Sequence, residues 1–176
     1  MNAKAIGDDN DTLCADFHDF ITALNARQVE FVLIGGYAVG AYGVIRATAD
    51  IDFLYRRTPP NVGKLCDALR DFGAPRIVID AESLLSPDTV AMFGSPPHRI
   101  DLLGDISGVD FDTVWSGSRR IVLDGLRLQL IGLAELRRNK AATGRAKDKA
   151  DLKQLPASDP GLDAGAGKRR KGRRAR

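Results

Sequence analysis

Asp50-Ile51-Asp52-Phe53-Leu54-Tyr55 is the stretch from which the rest of the chain can be read. Polar and apolar residues alternate at its start, the period of a strand with one wet and one buried face. Residues i and i+2 of a strand project to the same side, about 6.5–7 Å apart, so Asp50 and Asp52 share a face while Ile51 and Phe53 pack into the other. Two carboxylates that close repel, and each raises the other's pKa unless a positive group sits between them. A hard divalent cation with oxygen ligands does this well. The plainer alternative is an exposed strand face on which both acids are solvated, since strands disfavour Asp but tolerate it in water.

Upstream, residues 30–34 (EFVLI) read as a short buried strand ending at Gly35-Gly36, and residues 37–42 as a short helix closed by Gly43. A glycine pair between a strand and a helix start lets backbone N–H groups approach a polyphosphate closely; a tight turn is the alternative. Before it, residues 11–29 place Phe17, Phe20, Ile21 and Leu24 at helical spacing. Downstream, Pro59-Pro60 begins a connection, and residues 61–72 fit a helix with Val62, Leu65 and Leu69 inward, ended by Gly73. Strands are expected at residues 76–79, 89–93 and 99–103, the last two flanking Pro96-Pro97 as a hairpin with an irregular loop. Asp124-Gly125 joins residues 120–123 and 126–130 as a tight hairpin. Helices at 133–142 and 147–155, joined through Thr143-Gly144-Arg145, close the domain.

In Arg99-Ile100-Asp101-Leu102-Leu103, Asp101 is a single acid among apolar residues, where a lone buried charge would be costly. Beside Asp52 on a neighbouring strand it would complete a cluster of three carboxylates.

Ile34-Gly35-Gly36, thirteen further residues, Asp50-Ile51-Asp52-Phe53 and a later Ile100-Asp101-Leu102 together resemble the signature of the polymerase-β-like nucleotidyltransferase superfamily. The string GGYAVGAYGVIRATADID resembles the branch holding AbiEii-type toxins and related bacterial nucleotidyltransferases, and NKAATGRAKDKADL is similar to that branch's closing helices. The resemblance covers about residues 15–155. It differs from the short antitoxin-like members, whose glycine motif reads Gly-Ser-x-Ala-Arg-Gly: Gly36 replaces the Ser, which argues against transferring their protein-modifying role.

The resemblance implies an α/β (α+β) fold, a nucleotidyltransferase-like mixed sheet with helices packed on it. It also implies two Mg²⁺ ions held by Asp50, Asp52 and Asp101, with an NTP such as ATP as substrate. In that reading Asp101 is general base or ligand of the second metal, and Gly35 and Gly36 hold the triphosphate through backbone donors. Helix spacing adds two residues. Leu133, Leu136 and Lys140 share a stripe, so Lys140 points along a buried face and needs an anionic partner, for which a triphosphate would serve. Asp148, Asp151, Leu152 and Leu155 share another, turning both acids inward, with Asp148 set to position Lys140 or the nucleotide. The alternatives are a snorkelling lysine and an acid favoured near a helix N-terminus. Arg46 and Thr48, just before the acidic strand, are nucleotide-binding candidates, Arg46 as a fork on phosphate; a surface loop arginine is the alternative.

The chain has 176 residues, 44% hydrophobic and 28% charged, which suits one globular domain over residues 1–155. The net charge of +3 is set by seven Lys and Arg between Lys168 and Arg176; residues 1–155 carry 19 basic and 21 acidic groups. Residues 156–176 are too poor in apolar groups to order themselves and are expected to be a disordered basic tail. Such a tail could contact RNA or DNA phosphates, or serve only as a solubilising end. No apolar run is long enough to span a membrane, and residues 1–12 lack the pattern of a secretory signal. With Cys14 and Cys66 far apart and His18 and His98 isolated, free thiols in the cytoplasm are expected and a zinc site is not. Two functions compete. One is transfer of a nucleoside monophosphate to RNA (tRNA included), protein or a small molecule, as a toxin with a cognate antitoxin or in another role. The other is a non-catalytic nucleic-acid-binding or regulatory protein on the same fold.

Overall fold

A computed structural model describes residues 13–45 and 47–159. Among them six strands form one mixed sheet: β1 (Phe31–Ile34), β2 (Asp50–Tyr55), β3 (Val90–Phe93), β4 (Arg99–Leu103), β5 (Arg119–Leu123) and β6 (Leu126–Leu130). Their order is β3-β4-β2-β1-β6-β5. β2 runs antiparallel to β1 and parallel to β4, β1 runs parallel to β6, and the hairpins β3–β4 and β5–β6 form the two edges. The helices are α1 (Ala15–Ala26), α2 (Gly35–Ala41), α3 (Pro59–Phe72), α4 (Ala81–Leu85), α5 (Phe111–Gly117), α6 (Leu133–Thr143) and α7 (Ala146–Gln154). The class is α+β, as expected, and no helix among the described residues is long and apolar enough to cross a membrane.

The alternation in β2 gives the sheet two unlike faces. Ile51 and Phe53 are fully buried on one of them, with Ile100 and Leu102 of β4 beside them in register. Phe20 of α1 reaches Phe53, Phe72 and Phe93 with ring centroids 5.2–5.9 Å apart, so α1 and α3 cover this face with aromatic edges. Each such ring contributes roughly 1.5–3 kcal/mol by leaving water. Arg27, just past the end of α1, forks onto Asp71 at the end of α3, at 2.6 and 2.9 Å. Buried Asn61 accepts from the Glu30 N–H and donates to the Glu30 and Arg56 carbonyls, tying the start of β1 to the end of β2. The opposite face carries Asp50, Asp52 and Asp101.

Several local expectations are corrected. Residues 76–79 are not a strand: Arg76–Val78 is a 3-10 turn closed by bonds to the Pro75 and Arg76 carbonyls, with Ile77 88% exposed. Pro75 ahead of it has no N–H to give a ladder, and Asp80 behind it caps α4 by accepting from the N–H groups of Glu82 and Ser83. Helices α4 and α5 were not anticipated, although Asp110 caps α5 in the same way, accepting from the Thr113 N–H at 2.8 Å. Helix α3 begins at Pro59, because prolines fit a first turn whose N–H groups are unpaired in any case. The tail expected to be disordered from residue 156 is held at its start: Arg137 donates to the Pro156 carbonyl and Arg119 pairs with Asp159. The basic run Lys168–Arg176 lies outside the described residues.

Candidate active site

β2 and β4 pair in parallel with Asp50 opposite Arg99 and Asp52 opposite Asp101. Ladder partners point to the same side of the sheet, so Asp50, Asp52, Arg99 and Asp101 emerge together on the face away from α1 and α3. They floor a cleft of about 740 Å³, walled by Gly35 and Gly36 on one side and by Lys140, Thr143, Arg145 and Asp148 of the α6–α7 unit on another.

Asp52 packs directly against the glycine turn. Gly35 has φ +64°, and a Cβ built there would lie 1.8 Å from Asp52 Oδ2, so the carboxylate rests where any side chain at 35 would stand. The Gly36 N–H favours the charged form of the same carboxylate. Burial, and after it the charges of Asp50 and Asp101, push the Asp52 carboxyl up to about 6, against the pull of the Gly36 N–H and Lys140.

Asp50 and Asp101 converge on Arg99, a residue the sequence analysis passed over. Its Nε donates to Asp101 Oδ1 at 2.7 Å, and its Nη2 donates to Asp101 Oδ2 at 2.8 Å and to Asp50 Oδ2 at 2.7 Å. The signal was present: the two-residue rule that placed Asp50 with Asp52 also places Arg99 with Asp101. Thr48 serves Asp50, its hydroxyl lying 3.1 Å from Oδ1 and 3.2 Å from the carbonyl, rather than lining the cleft. Arg46 lies outside the described residues.

Lys140 points inward, as its helical stripe required, and is only 5% exposed. Its Nζ lies 2.7 Å from Asp148 Oδ1 and 2.9 Å from Asp151 Oδ2, so two acids of α7 already supply the anionic partner. Asp148 also accepts from the Thr143 hydroxyl at 2.6 Å and from Arg145 Nε at 2.7 Å. Burial pushes its carboxyl up, but the bonds from Lys140, Thr143 and Arg145 outweigh it and hold the group at about 2. This cluster welds α6 to α7 while keeping one ammonium at the cleft wall. Sequence reasoning turned Asp151 inward but gave it no part in the site.

The donor set suits a hard divalent cation: three carboxylates on one face, one of them partly desolvated against glycine backbone. Among the described residues no three His, Cys, Asp or Glu side chains converge as a finished metal cage, since Asp50 and Asp101 turn to Arg99 instead. Compared with family models and with curated proteins, the chain finds no match in either.

Proposed function

We propose that the protein is a divalent-metal-dependent nucleotidyltransferase acting on an NTP. The observation that supports this most is the register of β2 and β4, which sets Asp50, Asp52 and Asp101 on one face beside a glycine turn that admits no side chain. Asp50, Asp52 and Asp101 would hold two Mg²⁺ ions, which when bound neutralise phosphate charge and lower the pKa of an acceptor hydroxyl. In the transfer the acceptor oxygen bonds to the α-phosphorus, the bond from that phosphorus to the bridging oxygen breaks, and pyrophosphate leaves. Asp101 would serve as general base or as ligand of the second metal. Lys140 and Arg145, at the cleft wall, offer positive charge to the phosphates. The acceptor in this reading is RNA, tRNA included, a protein or a small molecule, and the segment Lys168–Arg176 would raise the local concentration of an RNA. A cytoplasmic toxin countered by an antitoxin is the biological role that the resemblance carries.

The test is incubation with each α-labelled NTP, Mg²⁺, and total cellular RNA or protein. Label should pass to an acceptor with the native chain and not with Asp52→Asn or Asp101→Asn. Absence of both labelled product and metal-dependent NTP binding would sink the reading. Growth arrest on expression, relieved by Asp52→Ala, separates a toxin from other roles.

One observation favours the rival, a non-catalytic nucleic-acid-binding or regulatory protein: Arg99 already satisfies Asp50 and Asp101. The rival expects the acid variants to be harmless and deletion of residues 164–176 to abolish function.

A further inference from the structure

One guanidinium engages two of the three carboxylates that the proposed reaction needs. Arg99 uses both ends of its fork on Asp101 and shares Nη2 with Asp50, while Asp52 packs against Gly35. The oxygens it occupies, both of Asp101 and Oδ2 of Asp50, are those a hard cation would draw on. An arginine N–H and a metal ion cannot hold the same lone pairs. The backbone of residue 99 is pinned in the β2–β4 ladder opposite Asp50, so only its side chain is free to leave. That side chain is one-third exposed, against 10% for the Asp101 side chain, which gives it a route into the open cleft.

We propose that Arg99 is a displaceable internal counter-ion: it fills the cation position between Asp50 and Asp101 in the metal-free protein, and swings out when divalent metal enters. This rests on the metal-dependent reading above. Arg99 is a positioning residue here. It keeps three acids from repelling one another until the metal arrives, and it sets how tightly the metal binds by competing for the same oxygens. A released guanidinium at the cleft mouth would also be free to fork onto phosphate oxygens.

The test uses Mn²⁺ alone, titrated into chelator-washed full-length protein without NTP and followed by the electron paramagnetic resonance of the free ion. Arg99→Gln should bind Mn²⁺ more tightly than the native chain, by on the order of tenfold, the size of an ordinary coupling between two sites. Arg99→Lys, which keeps the charge but loses the fork, should fall between them. Adding Asp52→Asn to Arg99→Gln should remove the gain. Equal or weaker binding by Arg99→Gln, with the native chain binding normally, overturns the counter-ion proposal and leaves the metal reading standing. Absence of binding in every variant overturns both. Because Arg99→Gln leaves the acids unneutralised, a second measurement uses the native chain. The Arg99 Nε–H resonance, identified by its loss in Arg99→Lys, should be protected from exchange in chelator and lose that protection as Mg²⁺ is added. Protection unchanged at saturating Mg²⁺ overturns the proposal.

Discussion

Asp52 is ionised at neutral pH in a setting that resists it, its carboxyl pushed up to about 6 by burial and then by Asp50 and Asp101. A folded pKa above the unfolded value of about 3.9 means that the folded state holds its proton longer, so stability falls as pH rises through this range. Asp52→Asn should therefore stabilise the metal-free protein at pH 7 by about 1–3 kcal/mol, seen as a higher urea midpoint in chelator, while abolishing transfer. No gain in midpoint would show that the native acid is not strained. Gly35 answers to the same carboxylate. Gly35→Ala must adopt a positive φ and meet Asp52 Oδ2, and should cost roughly 3 kcal/mol or more. In an Asp52→Gly background, only the backbone strain of about 1–2 kcal/mol should remain. A double-mutant cycle by urea unfolding measures the difference, and strict additivity would contradict the contact. At this scale the acids were legible because strand alternation is a two-residue rule, and Lys140 because helical stripes are. Arg99 went unread since a basic residue at a strand start passes for surface, while Thr48, expected at the nucleotide, bonds locally to Asp50.

The α6–α7 pair is held by buried charges more than by apolar contact, and this makes it pH-sensitive in a definite direction. Asp148 is held at about 2, below its unfolded value, so its contribution is complete above about pH 4 and is lost as pH falls from about 4 to about 2. Thermal melts across that window should lose about 2 kcal/mol of stability that the Asp148→Asn variant, already lacking it, does not lose there. Lys140→Met removes the ammonium that both Asp148 and Asp151 face, and should cost about 3–5 kcal/mol in urea unfolding. Restoring neutrality with Asp151→Asn, which leaves Asp148 paired with Arg145, should return part of that. If Lys140→Met is neutral, the cluster is not a weld. Element reading from sequence succeeded where a period ran long, as in α1 and α3, or where a turn was chemically marked, as at Asp124-Gly125, whose residues both take positive φ. It failed at α4 and α5, which have five and seven residues and declare themselves only through Asp80 and Asp110. It failed again at residues 76–79, where β-branched composition outvoted the proline before it.

At the scale of the molecule, the apolar face under α1 and α3 carries the stability and the acidic face carries the proposed site, with β2 common to both. Ordered structure continues to Asp159 through Arg137 and Arg119, contacts that no composition argument could supply because they join residues distant in sequence. Exposed or half-exposed pairs of this kind contribute at most about 1 kcal/mol. A chain ending at residue 159 should therefore unfold at the same urea concentration as the full chain, while one ending at residue 145 should be unfolded for want of Asp148 and Asp151. A lowered midpoint for the chain ending at residue 159 would mean that the basic segment contributes to the stability of the domain. The carboxylates of β2 and β4 owe their spacing to main-chain pairing between adjacent parallel strands. Loops at the rim can thus lengthen, shorten or exchange residues without altering that interval, whereas inserting one amino acid within either strand would rotate its acid to the aromatic side. Selection, or a protein engineer, has a free hand over what is presented to this trio of acids and almost none over the trio itself.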